Sequence, residues 1–141
     1  MAPPSPDSTS REGAPRGREE KALRREILHA LSGLPDVLVR VNESNVFTKL
    51  VRLMPRELVA KANQAVLPEE RFGLGVGSPD LLVVVRGICL FLELKAEDGR
   101  VSPEQRRWHL QARARGVRVE VVRSVEEARA AVERVRQEVE R

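Results

Sequence analysis

Aromatic side chains are scarce in this 141-residue chain, with three Phe, one Trp and no Tyr. Stacking on unpaired bases would therefore be poorly served. The single cysteine, Cys89, rules out an intramolecular disulfide and a thiolate metal cluster. Its place inside an apolar run predicts a small core residue. The two histidines, His29 and His109, have no partner at ligand spacing, which argues against an imidazole-bound zinc. No apolar run approaches the roughly 18 residues that would span a bilayer, and the first residues lack the apolar centre of a secretory signal. A cytoplasmic location without membrane partners is the expectation. No GxxxxGK[ST] occurs, and Gly73, Gly75 and Gly77 do not open a helix, so a nucleotide-binding phosphate loop is absent.

What is present is a chain long enough for one core, 41% hydrophobic, with 25 basic against 21 acidic residues. A formal charge of +4 and a pI near 10.0 suit a polyanionic partner, although charge alone selects none. Residues 1 to 18, rich in Pro, Ser, Gly and Arg, read as a disordered basic tail, and residues 19 to 141 as a single domain. Leu23, Ile27 and Leu31 recur every fourth residue up to Gly33, predicting a helix over about 19 to 32. VLVRVN, residues 37 to 42, alternates as a half-buried strand. A short strand at 46 to 53, a helix starting near Pro55 and a flexible glycine-rich RFGLGVG follow. Lys49, Arg52, Arg56 and Lys61 make this middle part basic. Ser102-Pro103-Glu104-Gln105 is a helix start with a capping box, and that helix runs to Gly116 with Trp108 facing the core. GVRVEVV then forms a last strand with Val117, Val119 and Val121 inward. A final helix capped by Ser124 carries an apolar stripe of Val125, Ala128, Val132, Val135 and Val139.

The chemistry concentrates between Gly75 and Lys95, GVGSPDLLVVVRGICLFLELK. Residues 81 to 85 and 88 to 92 have the apolar, β-branched pattern of strands buried on both faces. If Arg86-Gly87 forms a two-residue turn, Val85 pairs with Ile88, and counting back brings Asp80 opposite Glu93. Opposed side chains sit roughly 4.5 to 5.5 Å apart at Cβ, and two like charges there destabilise a sheet. A cation between them reverses that. Lys95 shares the face of Glu93 by the two-residue period. Hard oxygen ligands favour Mg²⁺, with Mn²⁺ as a substitute. A Glu-x-Lys pair by itself is most often a surface ion pair, and a three-residue loop would pair Asp80 with Leu94 and turn the faces apart.

Pro79-Asp80 followed by Glu93-Leu94-Lys95 resembles the PD-(D/E)xK nuclease signature. GVGSPDLL, FLELK, Gly99, VSPEQ and GVRVEVVRSVEEA resemble its VRR-NUC branch over roughly residues 75 to 130. The resemblance implies an α/β fold of restriction-endonuclease type, a small mixed β-sheet flanked by helices. It also implies divalent-metal-dependent hydrolysis of DNA phosphodiesters, with Asp80, Glu93 and the carbonyl of Leu94 holding the metal and Lys95 serving catalysis. Gln105 and Glu20 are the further site members it suggests, and Arg40, Asn42 and Ser78 the DNA-contacting ones. Gln105 is already explained as a cap, and Glu20 by the dipole of a first helical turn. Stand-alone members of this size resemble branched-DNA endonucleases acting as homodimers, which points to duplexes, flaps or four-way junctions. The rival reading is a nucleic-acid-binding module that keeps the fold without turnover.

Overall fold

The computed structural model describes residues 16–43, 46–67 and 74–141. The expected tail lies outside the described residues as far as residue 15, and residues 16 to 18 already belong to the first helix. The order is α1 (Arg16–Ser32), β1 (Val37–Val41), α2 (Val46–Leu53), α3 (Arg56–Ala65), β2 (Leu81–Val85), β3 (Ile88–Leu94), α4 (Pro103–Arg113), β4 (Arg118–Val122) and α5 (Val125–Val139). One expectation fails here: residues 46 to 53 are the helix α2, not a strand. Val46, Thr48 and Val51 are β-branched, as strand residues often are. The apolar residues at 46, 47, 50, 51 and 54 follow the helical period instead, and periodicity outweighs propensity. Part of the glycine-rich approach, residues 71 to 73, lies outside the described residues.

The four strands stand in sequence order, antiparallel between β1 and β2 and between β2 and β3, parallel between β3 and β4. This is a mixed α/β sheet, as expected. Val85 pairs with Ile88, and the turn between them has φ of 49° at Arg86 and 84° at Gly87. Two successive positive φ values define the mirror-image turn that matches strand twist. Arg86, which lacks glycine's freedom there, is tied to Asp36 at 3.0 Å and to Glu140 at 2.8 Å.

One face of the sheet carries the core. Leu81, Val83, Val85, Leu90, Leu92 and Leu94 meet Ile27 and Leu31 of α1 and Ala128, Ala131, Val132 and Val135 of α5. Val139, at the end of the predicted stripe, is exposed. The other face is covered mainly by α4, whose Trp108 meets Phe91 edge-on at 5.3 Å and donates its indole N–H to the Leu74 carbonyl. The expectation of strands buried on both faces is corrected here, because β2 alternates buried and half-buried residues. Cys89 is exposed for the same reason, not a core residue. Its side chain shares the face of Phe91 and Glu93, at a position that α4 leaves open. In β4 the buried residues are Val119 and Val122, whereas Val117 and Val121 are half-buried.

Candidate active site

Asp80 directly precedes β2, and its carbonyl accepts the Asn42 N–H at 2.8 Å, so the β1–β2 register runs on through it. Its Oδ2 accepts the Leu94 N–H at 2.8 Å. The carboxylate thus reaches across to the end of β3, where the pairing count puts Glu93 opposite. The approach is a tight loop. The Ser78 hydroxyl donates to the Gly75 carbonyl at 2.6 Å, and the Asn42 amide donates to Ser78 Oγ at 2.8 Å and to the Pro79 carbonyl at 2.7 Å. Gly77 has φ of 83°, and a Cβ built on it would collide with the Glu104 carbonyl, so this loop and the start of α4 touch backbone to backbone.

Glu93 is only 1% exposed. Its Oε1 accepts the Gln105 Nε2–H at 2.6 Å and lies 3.8 Å from Lys95 Nζ. Its Oε2 has no hydrogen-bond partner. Burial pushes its carboxyl up to about 9, and the negative charge of Asp80, which also shares a hydrogen bond with it, adds to the effect. Lys95, itself buried, counters this, while Glu20 reinforces it. Two acids therefore sit side by side on one face with a lysine, and burial disfavours the charged form of Glu93.

Gln105 performs two tasks with one amide. Its Oε1 accepts the Ser102 N–H at 2.8 Å, completing the capping box with the Ser102 hydroxyl, while its Nε2 holds Glu93. Glu20 approaches from α1, with Oε1 3.5 Å from the Ala96 N–H. A cleft of ≈ 200 Å³ opens beside it, lined by Glu20, Lys21, Arg24, Lys49, Asp80 and Leu94. A second cleft on the other side of Asp80 is lined by Gly77, Ser78, Ser102 and Gln105. The five residues named for catalysis are thus gathered around Asp80 and Glu93.

The three residues expected to meet DNA are placed differently from one another. Arg40 is exposed, and its Nη1 donates to its neighbour's carbonyl, Val39. Ser78 is buried, and Asn42 is half-buried with its amide engaged as above, so both are committed to the loop that carries Asp80. Sequence reasoning missed two neighbours. Arg123 donates to the carbonyls of Ala96 and Gly99 at 2.6 and 2.8 Å, holding the loop after Lys95. His109 is buried, with Nε2 3.4 Å from Glu93 Oε2. The available signal for His109 was its spacing, one helical turn beyond Gln105.

The sequence model of the VRR-NUC domain matches residues 14–126. The chain belongs to the VRR-NUC family. Among curated proteins nothing matches it. A solved structure described as a VRR_NUC domain is similar at 28% identity, covering 84% of this chain and 94% of that one, with a TM-score of 0.46. Membership gives the chain a nuclease-type domain of restriction-endonuclease-like fold, with DNA as the implied substrate and divalent metals as the usual requirement of such domains.

Among the described residues of this VRR-NUC domain, no three His, Cys, Asp or Glu side chains converge as a ready metal cage. The donors present nonetheless fit a hard divalent cation. They are carboxylate oxygens, one of them buried and unpartnered. Asp80, Glu93 and Glu20 set against Lys95 would leave two negative charges for the cation to neutralise if all four were ionised. No helix among the described residues is long and apolar enough to cross a membrane.

Proposed function

We propose that this chain is a divalent-metal-dependent DNA endonuclease, using Mg²⁺ with Mn²⁺ as substitute, held by Asp80, Glu93 and the carbonyl of Leu94. The observation that carries the reading is the buried Glu93 carboxylate beside that of Asp80, with Lys95 on the same face, in a family of nucleases. When bound, the metal would supply Lewis-acid activation of the phosphodiester and of the attacking water. The chain's own residues do the rest. Gln105 fixes the Glu93 carboxylate, and Lys95 sets a positive charge where the phosphate gains negative charge. Lys21, Arg24 and Lys49 flank the cleft beside Asp80 and would neutralise neighbouring backbone phosphates. Arg40 would meet the duplex directly, whereas Asn42 and Ser78 would act by holding Asp80.

Backbone electrostatics and duplex shape suit a chain this poor in aromatics. Four-way junctions and flaps are the substrates proposed, and work on DNA would be cytoplasmic. A homodimer is the proposed assembly. The exposed Leu50, Leu53 and Leu58 on α2 and α3, which pack only marginally on the other described elements, support it. Labelled linear, flapped and four-way-junction DNA incubated with Mg²⁺, Mn²⁺ or EDTA tests the activity, with Glu93→Gln protein alongside. Metal-dependent cutting lost in the variant supports the nuclease and ranks its substrates. Binding without cutting in any metal would leave a non-catalytic module.

A further inference from the structure

Among the described residues, two buried side-chain polar atoms lack a hydrogen-bond partner, and they face each other: His109 Nε2 and Glu93 Oε2, 3.4 Å apart. Buried groups of this kind almost always find a partner, and here each has the other within reach. The separation exceeds a good N–H···O bond by a few tenths of an ångström, within reach of a small side-chain adjustment. His109 is 3% exposed and Glu93 1%, so bulk water does not substitute for either. His109 also lies one turn after Gln105 on α4, and Gln105 already grips the other oxygen of the same carboxylate at 2.6 Å.

We propose that His109 is a positioning residue that donates Nε2–H to Oε2 of the ionised Glu93 and, with Gln105, clamps the carboxylate by both oxygens so that its remaining lone pairs face the metal. The inference rests on the metal-centre reading above. A carboxylate offers about four acceptor sites, so two protein donors leave room for a cation. Partners that orient a metal-binding side chain are typically worth about 10- to 100-fold in metal affinity. His109 touches neither substrate nor metal in this scheme, and acts only through Glu93.

The test is Mn²⁺ binding to the full-length protein without DNA, followed by electron paramagnetic resonance, for wild type, Glu93→Gln, His109→Leu and His109→Gln. Leucine fills the space without a donor, and glutamine returns an N–H near the Nε2 position. The expected result is affinity about 10- to 100-fold weaker in His109→Leu, largely restored in His109→Gln, and lost in Glu93→Gln. If His109→Leu binds like wild type while Glu93→Gln does not, the clamp is wrong and the metal site stands. Equal weakening in both His109 variants would assign a packing role and overturn the clamp. Wild-type protein no better than Glu93→Gln would remove the metal site and the clamp with it. A second readout needs neither metal nor a His109 variant. In metal-free protein, Glu93→Gln should shift the imidazole ¹⁵N signals of His109 and leave those of His29 in place, and an unmoved His109 would refute the contact.

Discussion

The two faces of the sheet divide the labour of this molecule. The face under α1 and α5 is aliphatic, with Leu81, Val83, Val85, Leu90 and Leu92 all fully buried. The face under α4 holds one edge-on aromatic pair and then an acid, a lysine, a glutamine and a histidine, nearly all buried. Burial on the first face releases water from apolar surface and stabilises the fold, at about 1.5–3 kcal/mol per large aliphatic side chain. Burial on the second works against stability, because it desolvates charge. Stability and function are thus separated by a single strand's thickness, and the alternation of β3 places Leu92 and Glu93 on opposite sides of the divide.

The comparison can be broken from either side. The largest effect should come from Asp80→Asn or Glu93→Gln, since loss of several kcal/mol of charge stabilisation at the reacting phosphate corresponds to about 10³-fold in rate. Metal-dependent cleavage assays should show that drop while thermal melting in EDTA stays at or above the wild-type value. One residue away, Leu92→Ala should do the reverse in cause, costing about 2–5 kcal/mol of stability through a core cavity. Denaturant titration measures it, and residual activity per folded molecule should survive.

A smaller effect is the pH dependence of the metal-free protein. The folded protein retains the Glu93 proton up to about pH 9, whereas the unfolded chain releases it near the ordinary 4.5. Between those limits the native state binds more protons, so stability falls as pH rises and the loss is complete above about 9. Melting temperature in EDTA should decline over this window, and Glu93→Gln should flatten the decline. The smallest expected effect is Cys89→Ser. At an exposed position that α4 leaves open, it should change stability by no more than about 0.5 kcal/mol by chemical denaturation, against the larger loss a core position would give.

Much of the site was legible because strand parity is strict. Once Arg86-Gly87 forms a two-residue turn, Val85 must meet Ile88, and Asp80, Glu93 and Lys95 share a face without further information. The helix start at Ser102 was equally plain, because its cap is encoded in adjacent residues. What escaped depended on contacts distant in sequence. The exposure of Cys89 follows from where α4 lies over the sheet, which no local pattern states. Arg123 reaches back to Ala96 and Gly99 through a loop whose carbonyls are invisible to residue type. His109 was weighed only against other histidines, whereas its neighbour is an acid on a different element. In α2, branched residues imitated a strand, and the helical spacing beneath them settled the outcome.

The doubly used amide of Gln105 has a further consequence. Helix-start rules treat glutamine and glutamate at this position as synonyms, since either can accept the N-cap N–H. Here they are not synonyms, because the opposite end of the side chain must donate to Glu93, and a glutamate would offer that acid a second negative charge instead. Two vocabularies, one for beginning a helix and one for building an acidic centre, overlap at this position in a single word.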